Sequence, residues 1–209
     1  MVYEPMTLLT DALLGGWALI LGVRLLRIGN RTSCDYWGWG LVVTAAAAFM
    51  GGVWHGFSPS WQVPIADGIW RLVLVLIGVA DALFGLAAVQ GSVLGVWQRR
   101  LQVGVIAKGT VYLGLLYGFD DFWVAVADYL PTLLLILALQ IRRLRRSPAA
   151  RWLSAGVIVA LSAAVVQGSG LALHRWFNHN DLYHLLQGAA LYGFYRGARL
   201  HEAPLSKRT

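Results

Sequence analysis

Residues 65–89 read IADGIWRLVLVLIGVADALFGLAAV, with Asp67, Arg71 and Asp81 as the only charged side chains. A core strand runs to about ten residues at most, so a run of this length is helical. At 1.5 Å per residue it extends about 37 Å, enough to cross the roughly 30 Å hydrocarbon layer of a bilayer. Similar runs recur at 8–28, 36–57, 100–118, 121–141, 151–173 and 179–198. The whole chain of 209 residues is 58% hydrophobic and 13% charged, with a mean hydropathy of +0.61. A soluble domain carries about 25% charged residues, so the composition belongs in lipid. The expectation is a single all-α domain over 1–209, a bundle of seven transmembrane helices.

Charge placement orients the bundle. With seven spans, Arg24, Arg27, Arg31, Arg99, Arg100, Arg142, Arg143, Arg145, Arg146, Arg151, Arg196, Arg199, Lys207 and Arg208 fall on one side. Removing the fourth run, which contains Lys108, scatters them over both. The positive-inside rule makes that side cytoplasmic, with the N-terminus outside. Glu4, Asp67, Asp120, Asp121 and Asp181 then belong to the outer side. The first run has Arg24 and Arg27 after it and no basic segment before it, the reverse of a secretory signal, and is read as a span. A net charge of +7 placed between apolar runs serves orientation, which excludes nucleic-acid binding. The lone Cys34 cannot form an internal disulfide. Fifteen arginines against two lysines, with abundant Ala, Gly, Val and Leu, point to a bacterial inner membrane.

Ionisable groups in a bilayer are costly and need a partner or a task. The passage of the chain brings His55 at the end of the second span, Asp67 and Arg71 at the start of the third, and His179, Asn180, Asp181 and His184 at the start of the seventh to one level. Neutral imidazole suits zinc, and three protein ligands with an open position make a catalytic site. Zinc-bound water ionises near neutral pH and attacks an ester or amide carbonyl, with a carboxylate managing its proton. Asn178 with Asp181 three residues on reads as a helix N-cap and its acid. Asn180, His184 and Gln187, at i, i+4 and i+7, form one polar stripe facing the bundle interior. His179 lies about 140° around the helix from His184 and joins it only if the helix start is irregular. A backbone-bonded interfacial role is the alternative for His55, and a local ion pair with Arg71 is the alternative for Asp67. Asp81 and Asp128 read as buried polar groups or part of an inner cavity, with Lys108 able to pair with either.

This arrangement resembles the CREST superfamily of seven-helix membrane hydrolases, which includes alkaline ceramidases, progestin and adipoQ receptors and Per1-like proteins. That family has a serine four residues before a histidine near the end of the second helix, an aspartate starting the third, and a histidine pair at i, i+4 early in the seventh. His55, Asp67 and His184 match; Gly51 stands in place of the serine and Asn180 in place of the first paired histidine. The resemblance implies zinc on His55, His184 and a displaced His179, with Asp67 and Asp181 orienting the attacking water. It implies lipid amides or esters as substrates. The alternative is a non-enzymatic lipid- or metal-binding protein. A retinal pigment is excluded because the last span has no lysine for a Schiff base. Haem held by His55 and His184 ranks last.

Overall fold

The computed structural model describes residues 2–28, 32–174 and 176–200. It is all-α, with seven α-helices among the described residues: α1 Pro5–Leu26, α2 Thr32–Phe57, α3 Val63–Ser92, α4 Gly95–Leu115, α5 Phe122–Ile141, α6 Pro148–Ser169 and α7 His179–Leu200. Local chemistry sets the ends. Proline stands in the first helical turn of α1, α3 and α6, where its missing N–H costs nothing. The Ser147 hydroxyl accepts the Ala150 N–H at 3.3 Å to cap α6, and Gly170 closes that helix at φ +64°. The helices coincide with the seven apolar runs to within a few residues; α4 starts earliest against expectation, because α3 ends at Ser92 and the chain turns straight into the next helix.

Five helices are long and apolar enough to cross a membrane: α1, α2, α3, α5 and α6. α4 and α7 fall short of that standard. α4 carries Arg99, Arg100 and Lys108, while α7 carries Asn180, Asp181, His184, Gln187, Arg196 and Arg199.

Six helices close a ring in the order α1, α2, α3, α5, α6, α7 and back to α1, and α4 packs outside it against α3 and α5. Two seams of the ring depend on glycine. A Cβ on Gly193 of α7 would lie 2.8 Å from the Gly156 Cα of α6, and one on Gly22 of α1 would lie 2.8 Å from the Gly38 carbonyl oxygen of α2. Without an apolar solvent-exclusion force between helices in lipid, such close backbone approach supplies the packing energy. Behind the ring centre Trp37, Phe84 and Phe194 form an aromatic group, with Trp37 centroid distances of 5.4 Å to each phenylalanine. The start of α1 runs beside the end of α2, where the Tyr3 N–H donates to the Gly56 carbonyl at 3.0 Å. This adjacency brings the N-terminal half of α1 into the polar end of the bundle.

Candidate functional site: a histidine–aspartate pair in the bundle

The start of α7 organises the site. Asn178 Oδ1 accepts the N–H groups of Asn180 at 2.8 Å and Asp181 at 3.4 Å, and Asp181 Oδ2 accepts the Asn178 N–H at 2.7 Å. This reciprocal cap satisfies the N–H groups of Asn178, Asn180 and Asp181 and fixes where the helix begins. One turn later His184 enters the interior. Thr10 of α1 bridges the two: its Oγ lies 3.1 Å from Asp181 Oδ1 and 3.0 Å from His184 Nδ1. A single hydroxyl proton goes best to the carboxylate, so Thr10 donates to Asp181 and accepts from His184 Nδ1–H.

That tautomer points the His184 Nε2 lone pair at Asp11 of α1, whose Oδ1 is 3.3 Å away. Two acceptors facing each other at this separation require a proton or a cation between them. Both side chains are under 10% exposed. The other Asp11 oxygen, Oδ2, is buried without a hydrogen-bond partner. A Cβ on Gly51 of α2 would sit only 3.5 Å from it. An imidazole and a carboxyl sharing one proton beside an open oxygen form an acid–base pair able to take and return a proton.

The pair sits at one end of a cavity of about 210 Å³ whose walls are largely apolar. Asn180, His184 and Gln187 all line it, as the polar stripe of α7 required. Asn180 Oδ1 accepts Gln167 Nε2–H of α6 at 2.8 Å, and Gln187 Nε2–H donates to the Tyr183 hydroxyl at 2.9 Å. His55 also lines the cavity. Its Nδ1 lies 3.2 Å from Glu4 Oε2, and Trp54 meets its ring edge-on at 5.2 Å. The imidazole against it holds the Glu4 carboxyl below its ordinary range.

Other expected members stand elsewhere. Asp67 is exposed and does not line the cavity. Arg71 turns from it to Asp120, 3.7 Å away, because α3 and the start of α5 adjoin here and Trp70 donates to the Asp120 carbonyl at 2.6 Å. The Asp67–Arg71 ion pair is therefore replaced by one from α3 to the segment that precedes α5. Asp181, expected to orient the attacking water, is 0% exposed, has both oxygens committed to Thr10 and the helix cap, and supports His184 through Thr10 rather than lining the cavity. His179 is half-buried near Glu4. Among the described residues no three His, Cys, Asp or Glu side chains stand close enough together to hold a metal ion. His55, His179 and His184 are thus not brought together as one group of three.

Three members of the site, Glu4 just before α1 and Thr10 and Asp11 on it, were not among the expected ones. The signal for Asp11 was present: a lone acid inside the first apolar run needs a partner. A second polar cluster lies deeper. Lys108 of α4 reaches between α3 and α5, with its Nζ donating to Asp81 Oδ2 at 2.8 Å, to the Asp128 carbonyl at 2.9 Å and to Asp128 Oδ1. Thr132 also donates to Asp81 Oδ2, at 2.7 Å.

Fold and site together define a helical bundle, most of whose helices are fit to cross a membrane, enclosing an acid–base pair in an apolar cavity. The chain belongs to a family of unknown function (DUF6962), whose model matches residues 6–203. No curated protein and no solved structure matches it.

Proposed function

We propose that this chain is a seven-span membrane hydrolase that cleaves a lipid amide or ester, a distant relative of the CREST superfamily with its N-terminus outside and its C-terminus in the cytoplasm of a bacterial cell. The observation that carries the reading is the His184–Asp11 pair at the polar end of an apolar cavity within a ring of lipid-length helices. Inclusion of α4 and α7 as spans is supported by their faces. Lys108 turns inward to two carboxylates while Val103, Ile106 and Val111 are exposed outward, and the polar stripe of α7 lines the cavity. Outward apolar side chains and inward polar ones are what lipid surroundings demand.

In the proposed reaction, water enters beside Asp11 and gives a proton to the shared His184–Asp11 pair as its oxygen bonds to the substrate carbonyl carbon. The tetrahedral intermediate collapses with cleavage of the C–N or C–O bond, and the pair returns the proton to the leaving amine or alcohol. Thr10 and Asp181 hold the imidazole in the required tautomer. Asn180 and Gln187 offer amide donors to the lipid headgroup.

The test is product analysis by mass spectrometry after purified protein in nanodiscs meets a mixture of lipid amides and esters. Expected are new free fatty acids from wild type and a loss of about 100-fold or more in both Asp11→Asn and His184→Gln. Folded wild type that binds lipid without cleaving it would replace this reading with that of a non-enzymatic lipid binder.

A further inference from the structure

We infer that Phe84 and Phe194 form the floor of a single-chain tunnel and set the length of acyl chain it accepts. The inference deepens the lipid-acting reading and rests on it for the substrate class.

The cavity has a direction. Its lining on α2 runs from His55 back to Thr44, on α3 from Trp70 to Phe84, and on α7 from Asn180 to Phe194. On each helix the first-named residue lies at the polar end, and Phe84 and Phe194 are the deepest on theirs. Eleven to fourteen residues of helix at 1.5 Å each give a depth of about 16–21 Å. An extended alkyl chain advances about 1.3 Å per bond, since three bonds span the 3.8 Å between successive Cα atoms. The depth therefore takes about 12–16 carbons. The volume of about 210 Å³ falls below the 300–1,000 Å³ typical of ligand pockets, which fits one chain and excludes a pair.

The floor is rigid. The two rings touch at a centroid distance of 5.7 Å, and fully buried Trp37 backs both at 5.4 Å. Each ring is also seated on a glycine of the neighbouring helix. A Cβ on Gly40 would lie 2.5 Å from Phe84 Cε1, and one on Gly156 would lie 2.8 Å from Phe194 Cδ1. Neither ring can retreat, and a methyl group on either glycine would push its ring toward the cavity. Asp81, the carboxylate at this depth, is 5% exposed and holds Lys108 and Thr132, so it offers the chain no free charge.

The test measures binding of straight-chain primary amides of increasing length to purified full-length protein by native mass spectrometry. Such probes report on the tunnel whether or not they are cleaved. Wild type is expected to show affinity rising with length to a limit and then falling. Phe84→Leu and Phe194→Leu should each move the limit about two carbons longer. Gly40→Ala should move it shorter and weaken the longest accepted amide about 15-fold, from about fourfold per methylene displaced. Shifted limits without any hydrolysis by wild type would keep the ruler and remove the enzyme. Hydrolysis with an unchanged length limit in the folded leucine variants, or binding by wild type that ignores chain length, would overturn the ruler. The leucine variants conserve apolar character, so the test does not depend on Gly40→Ala folding.

Discussion

Lys108→Met leaves Asp81 and Asp128 facing each other inside the bundle with no cation between them. Asp81 and Asp128 are 6% and 5% exposed at their side chains, and Lys108 makes its contacts to both while itself 25% exposed. Breaking a buried pair from one side costs about 3–5 kcal/mol, because it strands charge rather than merely losing attraction. Here two carboxylates depend on one ammonium, but a quarter of the lysine side chain is not enclosed by the bundle, so the lower end applies. About 3 kcal/mol in a chain of this size lowers Tm by about 6–12 °C. Thermal unfolding in detergent, followed through the fluorescence of the ten tryptophans, reads it directly. The triple variant Lys108→Met, Asp81→Asn, Asp128→Asn removes the charges together and should recover most of the loss, a coupling that a mutant cycle isolates. A single variant as stable as wild type, or a triple variant no better than the single one, would refute the idea that Lys108 neutralises these acids.

Thr10→Val removes the bridge between His184 Nδ1 and Asp181 Oδ1 and leaves two buried polar atoms unpartnered; a loss of about 1–3 kcal/mol in chemical unfolding is expected, and Thr10→Ser should restore it. Gly193→Ala drives a methyl group toward Gly156 Cα and should cost about 1–3 kcal/mol by overpacking the α6–α7 seam, whereas Gly16→Ala, inside α1 with open space around it, should stabilise by up to about 1 kcal/mol in the same assay. Glu4 has its folded-state pKa below the ordinary 4.5, so it contributes stability that is present above 4.5 and lost as pH falls through the depressed folded value. Tm curves of wild type and Glu4→Gln should therefore converge on acidification; parallel curves down to strongly acid pH would show that the His55 contact does nothing for the fold.

The helices and the polar stripe of α7 were legible in the sequence because both are local. Apolar run length fixes a helix without knowledge of its neighbours, and residues three and four apart share a face in any helix. The Asn178–Asp181 cap was legible for the same reason. Lys108 could be read as a partner of Asp81 or Asp128, but only the lodging of α4 against the groove between α3 and α5 made it serve both. Tertiary structure alone chose Asp11 as the partner of His184, 173 positions away in the chain, because the ring closes between α1 and α7. It likewise turned Arg71 to Asp120, left Asp67 outside the cavity, and made Asp181 the support of an imidazole through Thr10. Lipid makes every buried polar group seek a partner, and sequence names those groups; which of them meet depends on helix order around the ring and on where glycines let two backbones touch, and neither is written in any local pattern.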